Sequence, residues 1–134
     1  LNDPVKSVKN EMKKLQNKAD IFVLLTHQGY DLDVQFAKKV DGLDLIVGSH
    51  SQTAIEQPKE INNTLIVQSG KAGHYVGLVK IKMKKGKIVE KSGRLDTMKF
   101  ELPDDPRIID MIEEYEKKSG RMNHRKKKLL GLDH

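Results

Sequence analysis

Two short apolar segments, each followed directly by a loop that contains a histidine, constrain the fold most strongly. The first, Ile21–Leu25, is an uninterrupted apolar run, and the second comprises Leu43 and Leu45–Val47. Such runs are typical of strands that are covered on both faces in a parallel sheet. An amphipathic segment between them begins at Asp31 and ends at Gly42, and its apolar residues are predicted to face inward: Leu32, Phe36, Ala37 and Val40. This order predicts a βαβ unit with parallel strands, and hence an α/β fold.

The rest of the sequence predicts further strands and two more helices. Asp3–Pro4 has the N-cap and first-turn residues of a helix start, and Asp104–Pro106 has the same character near the other end of the chain. Thr64–Gln68 is predicted as a strand. Val76–Met83 alternates apolar residues with lysine, and Lys85–Gly86 after it predicts a hairpin turn.

Composition excludes several classes of function. The chain has 134 residues and no cysteine, which excludes disulfides, thiolate metal sites and thiol catalysis. No apolar run approaches the roughly 18 residues that a membrane-spanning helix needs. The chain begins at Leu1 without a signal-like segment, so we expect a piece of a longer protein. The net charge is +6, and the basic run Arg125–Lys128 is interpreted either as a solvated helix end or as a binding site for nucleic acid or an acidic partner.

The two histidine loops predict part of a metal site. His27 and His50 each follow a predicted strand, and parallel strands place their carboxyl ends at one edge of the sheet. Two imidazoles there can bind one transition-metal cation. Gln52 offers a carbonyl oxygen two residues after His50, and in extended backbone the two side chains would point the same way. The competing interpretation is that each histidine is solvated or merely hydrogen-bonded.

The predicted site lacks negatively charged ligands. Two imidazoles and an amide carry no negative charge, whereas hydrolytic metal sites generally use carboxylates. None of the nearby acids has an evident route to the site: Asp31, Asp33, Asp41 and Asp44. Asp33 lies on the helix between the strands, and Asp41 and Asp44 lie at the far end of the second strand. We therefore expect further ligands to come from outside this sequence.

The order of the motifs resembles a known family. The matching positions are Leu25–Gly29, Asp33, Ala37, Asp44–Thr53, Val67–Gly70 and Gly77. Over about Asp3–Leu95 they resemble the second half of the calcineurin-like metallophosphoesterase domain, in its 5′-nucleotidase and 2′,3′-cyclic phosphodiesterase branch. The resemblance implies part of a four-layer αββα sandwich. Residues 1–98 would be the C-terminal half of the catalytic domain, and residues 99–134 a C-terminal helix and basic tail.

The resemblance also implies roles for individual residues. His27 and His50 match two ligands of one of two divalent cations, which could be Zn, Mn, Fe or Co. Gln52 stands where most members have a second histidine, a ligand of the other cation. Ser49 replaces the usual glycine before His50. The implied substrate is a nucleotide or another phosphate ester, and the branch is usually periplasmic or extracellular.

Three motifs of the family do not occur in this sequence: Asp-x-His, Gly-Asp-x-x-Asp and Gly-Asn-His-Glu/Asp. The resemblance implies that they supply the other metal ligands and the histidine that assists the leaving group. No catalytic residue is therefore assigned here, and we expect the chain alone to be a hydrolase fragment with little or no activity. Without the first half of the domain we expect an exposed sheet edge, an uncovered apolar face, and a homodimer or swapped oligomer.

Two alternatives remain open from the sequence. The first is a non-catalytic α/β binding module that uses its basic tail on nucleic acid or an acidic partner. The second is a degenerate phosphoesterase half that has lost its metal and serves as a scaffold.

Overall fold

The computed structural model describes residues 3–120, which fall into two compact units, one ending at Lys99 and the other beginning at Phe100. In chain order the elements are α1 (Pro4–Leu15), β1 (Val23–Leu25), α2 (Tyr30–Lys39), β2 (Leu45–Val47), β3 (Lys59–Ile61), β4 (Thr64–Val67), β5 (Tyr75–Lys84), β6 (Lys87–Thr97) and α3 (Pro106–Ser119). Within residues 3–120 none of the helices has the length and apolar character that crossing a bilayer requires.

The predicted βαβ unit is confirmed as part of a mixed four-stranded sheet. The strand order is β1-β2-β4-β3, in which the first three strands are parallel and β3 is antiparallel to β4. Strands β5 and β6 form a separate antiparallel ribbon. The α/β class is therefore confirmed, with a parallel sheet, an antiparallel hairpin and a C-terminal helix.

One face of the parallel sheet packs against the helices of the first unit. The Asp3 carboxylate caps α1 by accepting from the Val5 and Lys6 amides, as its position before Pro4 predicts. The core is formed by seven buried apolar residues of α2, the strands and their connections, with three partly buried residues of α1 packed against them: Phe36, Ala37, Val40, Leu43, Ile46, Ile55 and Ile66, with Val5, Val8 and Met12.

The opposite face of the sheet is uncovered over β1 and the end of β2, whereas Leu45 and Leu65 on that face are buried and the β5–β6 ribbon lies against β4. The prediction that β1 and β2 are covered on both faces is wrong at Val23, Leu25 and Val47, which are 49%, 76% and 36% exposed. Strand β1 also lies at the edge of the sheet within the described residues. The expected exposed edge and uncovered apolar face are both present.

Paired left-handed residues form two hairpin turns. Lys85 and Gly86 have φ of 52° and 74°, the signs that a type I′ turn requires, so the predicted β5–β6 turn is confirmed. The sequence did not predict β3 or the second turn, at Asn62–Asn63, where φ is 49° and 62°. The side-chain amide of Asn62 donates to the Ala37 carbonyl oxygen and so fixes this turn against the end of α2.

Helix α3 in the second unit begins as predicted. The Asp105 carboxylate accepts from the Arg107 backbone amide at its start, and the Arg107 guanidinium also bonds it and lowers the pKa of the Asp105 carboxyl. Gly120 ends the helix with a left-handed φ of 64°. The basic run Arg125–Lys128 lies outside the described residues.

Candidate metal centre

The two predicted histidines meet at the carboxyl end of the sheet. Hydrogen bonds align their loops, from the Thr26 amide to the Val47 carbonyl (3.0 Å) and from the Gly29 amide to the Ser49 carbonyl (3.1 Å). The His27 and His50 ring centroids lie 5.0 Å apart with planes at 71°. His27 Nε2 is 3.3 Å from His50 Nδ1. The parallel topology thus produces the convergence that the sequence predicted.

The geometry of the pair fits a shared cation. The Ser49 hydroxyl lies 2.6 Å from His27 Nδ1. A proton on Nδ1 donated to that hydroxyl leaves the lone pair of His27 Nε2 directed towards His50, in the manner of an oriented metal ligand. Two nitrogens bound to one tetrahedral zinc ion at ordinary bond lengths lie about 3.3 Å apart. The observed 3.3 Å separation agrees with this value, and it also permits a direct imidazole–imidazole hydrogen bond.

Ser49 is a site residue that the sequence reasoning missed. The sequence showed only that a serine replaces the family's usual glycine before His50. In the structure its hydroxyl orients the other imidazole, that of His27. A hydroxyl gained at a position normally lacking a side chain is a signal that could have revealed this role.

Gln52 is not placed as the sequence reasoning required. The argument assumed extended backbone, but His50 and Gln52 have positive φ of 79° and 56°. The segment therefore turns rather than alternates. The Gln52 side chain is exposed, and within residues 3–120 no hydrogen bond joins its amide to either imidazole.

Asp33 lies closer to the site than its position on α2 suggested. Its side chain is completely buried, and Oδ1 accepts from Gln28 Nε2 at 3.1 Å. A Cβ added at Gly48 would lie 2.2 Å from Asp33 Oδ2, so this approach requires glycine. Asp33 therefore contacts Gln28, the residue after His27, and lies against Gly48, two residues before His50.

Two of the other candidate acids lie away from the pair, and the third, Asp31, is exposed in the first turn of α2. Asp44 accepts from the Phe22 amide and Asp41 from the Asn62 side chain, both at the amino end of the sheet. Among residues 3–120, no group of three or more histidines and acids is placed to hold a metal ion. Within the described part of the chain the histidine pair is therefore an incomplete ligand set.

Comparisons with known proteins agree with the loop motifs, although no family model matches the chain. The trifunctional nucleotide phosphoesterase YfkN of Bacillus subtilis is 34% identical over 85 residues, which are 60% of this chain and 6% of YfkN. Two solved structures from Thermus thermophilus cover 88% of the chain at 25% identity. The sulfate thiohydrolase SoxB has a TM-score of 0.78 and a 5′-nucleotidase precursor one of 0.77.

The chain is related to the 5′-nucleotidase branch of the calcineurin-like metallophosphoesterases. The resemblance inferred from the two histidine loops is thereby confirmed. The chain spans 22% of SoxB and 27% of the 5′-nucleotidase structure, so the likeness concerns one part of these larger proteins. Metallophosphoesterases as a class use divalent metal ions, which is consistent with the paired imidazoles.

Proposed function

We propose that the chain is the C-terminal half of a catalytic domain that hydrolyses nucleotide-type phosphate esters with two divalent cations. Residues 1–98 would form that half, and residues 99–134 a C-terminal helix and basic tail. The observation that carries the proposal is the 3.3 Å approach of His27 Nε2 and His50 Nδ1 at the carboxyl end of the parallel strands. Relatives named as nucleotide phosphoesterases and 5′-nucleotidases support the substrate class.

The proposed ligands have distinct roles. His27 Nε2 and His50 Nδ1 would hold one cation as neutral imidazoles, with Ser49 fixing the His27 tautomer. Gln52 would present its amide oxygen to the second cation, a role that the motif resemblance alone supports. Imidazole suits Zn and Fe, and an amide oxygen suits harder ions such as Mn, so we keep Zn, Mn, Fe and Co as candidates. When bound, the cations would supply Lewis-acid polarisation of the substrate's phosphoryl oxygens.

The remaining ligands would come from the first half of the domain. The histidine pair has no carboxylate partner within the described residues, and a divalent cation needs negative charge nearby. The exposed side chains of Leu25 and Val47 provide an apolar face for that half, or for a second copy of the chain in a homodimer or swapped oligomer. A periplasmic or extracellular location is supported by the relative described as a precursor.

Calorimetric titration with Zn²⁺ and Mn²⁺ tests the ligand assignment. We expect binding by the 134-residue chain that is abolished by His27→Ala or His50→Ala. His74→Ala is the matched control, because His74 is an exposed loop histidine outside the pair. Unchanged affinity in the His50 variant would refute its role.

Activity measurements test the fragment and metal-site assignments. The chain alone should release little or no phosphate from a nucleoside monophosphate, whereas vigorous metal-dependent release would contradict the proposed half-domain. In a longer protein that carries both halves, His50→Ala should lower the rate by orders of magnitude. Affinity for DNA that falls with salt and depends on Arg125–Lys128 would instead favour the binding-module alternative.

A further inference from the structure

The hydroxyl of Ser51 joins the three loops that follow the parallel strands. It accepts from the Tyr30 amide at the start of α2 (3.1 Å) and donates to Gln68 Oε1 at 3.0 Å. The Thr53 hydroxyl lies 3.0 Å away. A hydroxyl has one donor and two acceptor sites, so donation from Thr53 satisfies Ser51 completely. One side chain thereby ties together the loops after β1, β2 and β4.

This junction confines a sharp chain reversal to His50. The Ser51 amide donates to the Ser49 carbonyl at 3.1 Å, which closes a three-residue turn with His50 at its centre. The His50 φ of 79° is that of the classic γ-turn, a rare and strained conformation for a residue with a side chain. Because Gln68 fixes Ser51, the chain has no room to relax this turn from its carboxyl side.

Gln68 is costly as a structural residue alone. Its side chain is buried beyond β4 with 3% exposure, and Oε1 bonds Ser51. Among the described residues its Nε2 is a buried donor with no partner. A buried amide with half of its hydrogen-bonding capacity unused destabilises a fold, and such groups concentrate at functional sites.

We propose that Ser51 and Gln68 are positioning residues that hold His50 in its turn, so that Nδ1 faces His27 Nε2. This inference rests on the proposed function, because the alignment of the two imidazoles matters if they share a cation. Neither residue would be a ligand of the cation. The physical role is preorganisation: the hydrogen bonds offset the strain at His50 before any metal arrives.

The test uses the 134-residue chain and compares variants of Ser51 and Gln68, in the loops after β2 and β4, with a variant of Thr64 at the amino end of β4. Ser51→Ala should weaken Zn²⁺ binding by about 10- to 100-fold, the usual effect of removing an outer-shell partner. In the metal-free protein it should also abolish the nuclear Overhauser contact between the His27 and His50 rings. Ser51→Thr keeps the hydroxyl and should restore both signals.

Thr64→Val is the matched control. It removes a buried hydroxyl that donates to the Leu43 carbonyl (2.9 Å) at the amino end of the same strand, and should leave zinc affinity and the ring contact unchanged. If Ser51→Ala does not fold, Gln68→Met removes the same acceptor at similar side-chain length and should give the same two losses.

The outcomes separate this inference from the proposed function. If the wild-type chain binds no Zn²⁺ but Ser51→Ala abolishes the ring contact, the metal assignment fails and the positioning role stands. If the folded Ser51→Ala or Gln68→Met variant keeps both the zinc affinity and the ring contact, the positioning role is overturned.

Discussion

The two ends of the parallel sheet differ in whether their buried polar groups have hydrogen-bond partners. At the amino end, the Asp44 carboxylate accepts from the Phe22 amide at 2.8 Å, and the Thr64 hydroxyl donates to the Leu43 carbonyl at 2.9 Å. Within residues 3–120, the buried side-chain polar atoms without a partner are Thr26 Oγ1, Asp33 Oδ2 and Gln68 Nε2, all at the carboxyl end. The amino end therefore has satisfied hydrogen bonds where the carboxyl end retains unsatisfied ones.

Backbone strain and surface coverage follow the same division. Positive φ occurs at both ends, at Asn62 and Asn63 before β4 and at His50 after β2. Asparagine tolerates this conformation, whereas His50 is the centre of a strained three-residue turn. On the outer face of the sheet, exposure rises from 7% at Leu45 to 36% at Val47, and from 49% at Val23 to 76% at Leu25. Strain, unpaired polar atoms and uncovered apolar surface together mark a site more than a stabilising core. The carboxyl end, where we propose that the cation binds, therefore has less hydrogen bonding and less apolar cover than the amino end.

The largest effect is expected from filling the close approach between the two histidine loops. In Gly48→Ala the new Cβ would lie 2.2 Å from Asp33 Oδ2, inside a buried site with no room to move. We expect a loss of about 3 kcal/mol in the free energy of unfolding. Urea denaturation measures it. Gly77→Ala is the matched control, since its Cβ would be 3.7 Å from its nearest neighbour, an ordinary contact.

A double variant identifies the cause of that loss. Asp33→Ala removes the clashing oxygen, so Asp33→Ala with Gly48→Ala should be more stable than the sum of the two single changes predicts. Additive losses, or a neutral Gly48→Ala, would show that the approach of Asp33 to this loop is not tight.

The same substitution at the two ends of the sheet should change stability in opposite directions. Thr64→Val removes a hydroxyl that has a partner and leaves the Leu43 carbonyl without this hydrogen bond. We therefore expect the free energy of unfolding to fall by about 1–2 kcal/mol. Thr26→Val removes a buried hydroxyl without a partner among the described residues, and should be neutral or stabilising by up to about 1 kcal/mol. Denaturation midpoints at constant m-value measure both. Equal losses would contradict the difference between the ends.

The sequence predicted the framework because its rules are local or topological. Apolar runs and a helical connection determine a βαβ unit, and parallel strands then bring His27 and His50 to one edge. Strand β3 was missed because Lys59–Ile61 has no apolar alternation to distinguish it from a loop. The left-handed backbone at Gln52 could not be predicted from the sequence either. Such a conformation is held by hydrogen bonds between loops that are distant in the sequence.

Asp33 was missed although the sequence contained the signal. It shares a helical stripe with Phe36, Ala37 and Val40, at spacings of three, four and seven, and all four are buried. The prediction placed Leu32 inward instead, but Leu32 is 45% exposed. The prediction gave more weight to the hydrophobicity of Leu32 than to the helical spacing of the buried residues. A carboxylate on the buried face of a helix is uncommon, and Asp33 was therefore the informative residue.

The smallest effect on stability is expected at the uncovered face, where the readout is association. Leu25→Lys changes a side chain that is already 76% exposed, so the free energy of unfolding should change by about 0.5 kcal/mol or less. We expect the wild-type chain to self-associate through β1 at high concentration, and a charge on this edge strand to suppress that association in sedimentation equilibrium. Leu32→Lys, on the exposed side of α2, is the matched control and should leave it unchanged. A monomeric wild-type chain, or equal effects of the two lysines, would mean that the uncovered face promotes self-association no more than an ordinary surface leucine does. The difference between the two ends of the sheet would then concern only polar groups and backbone strain.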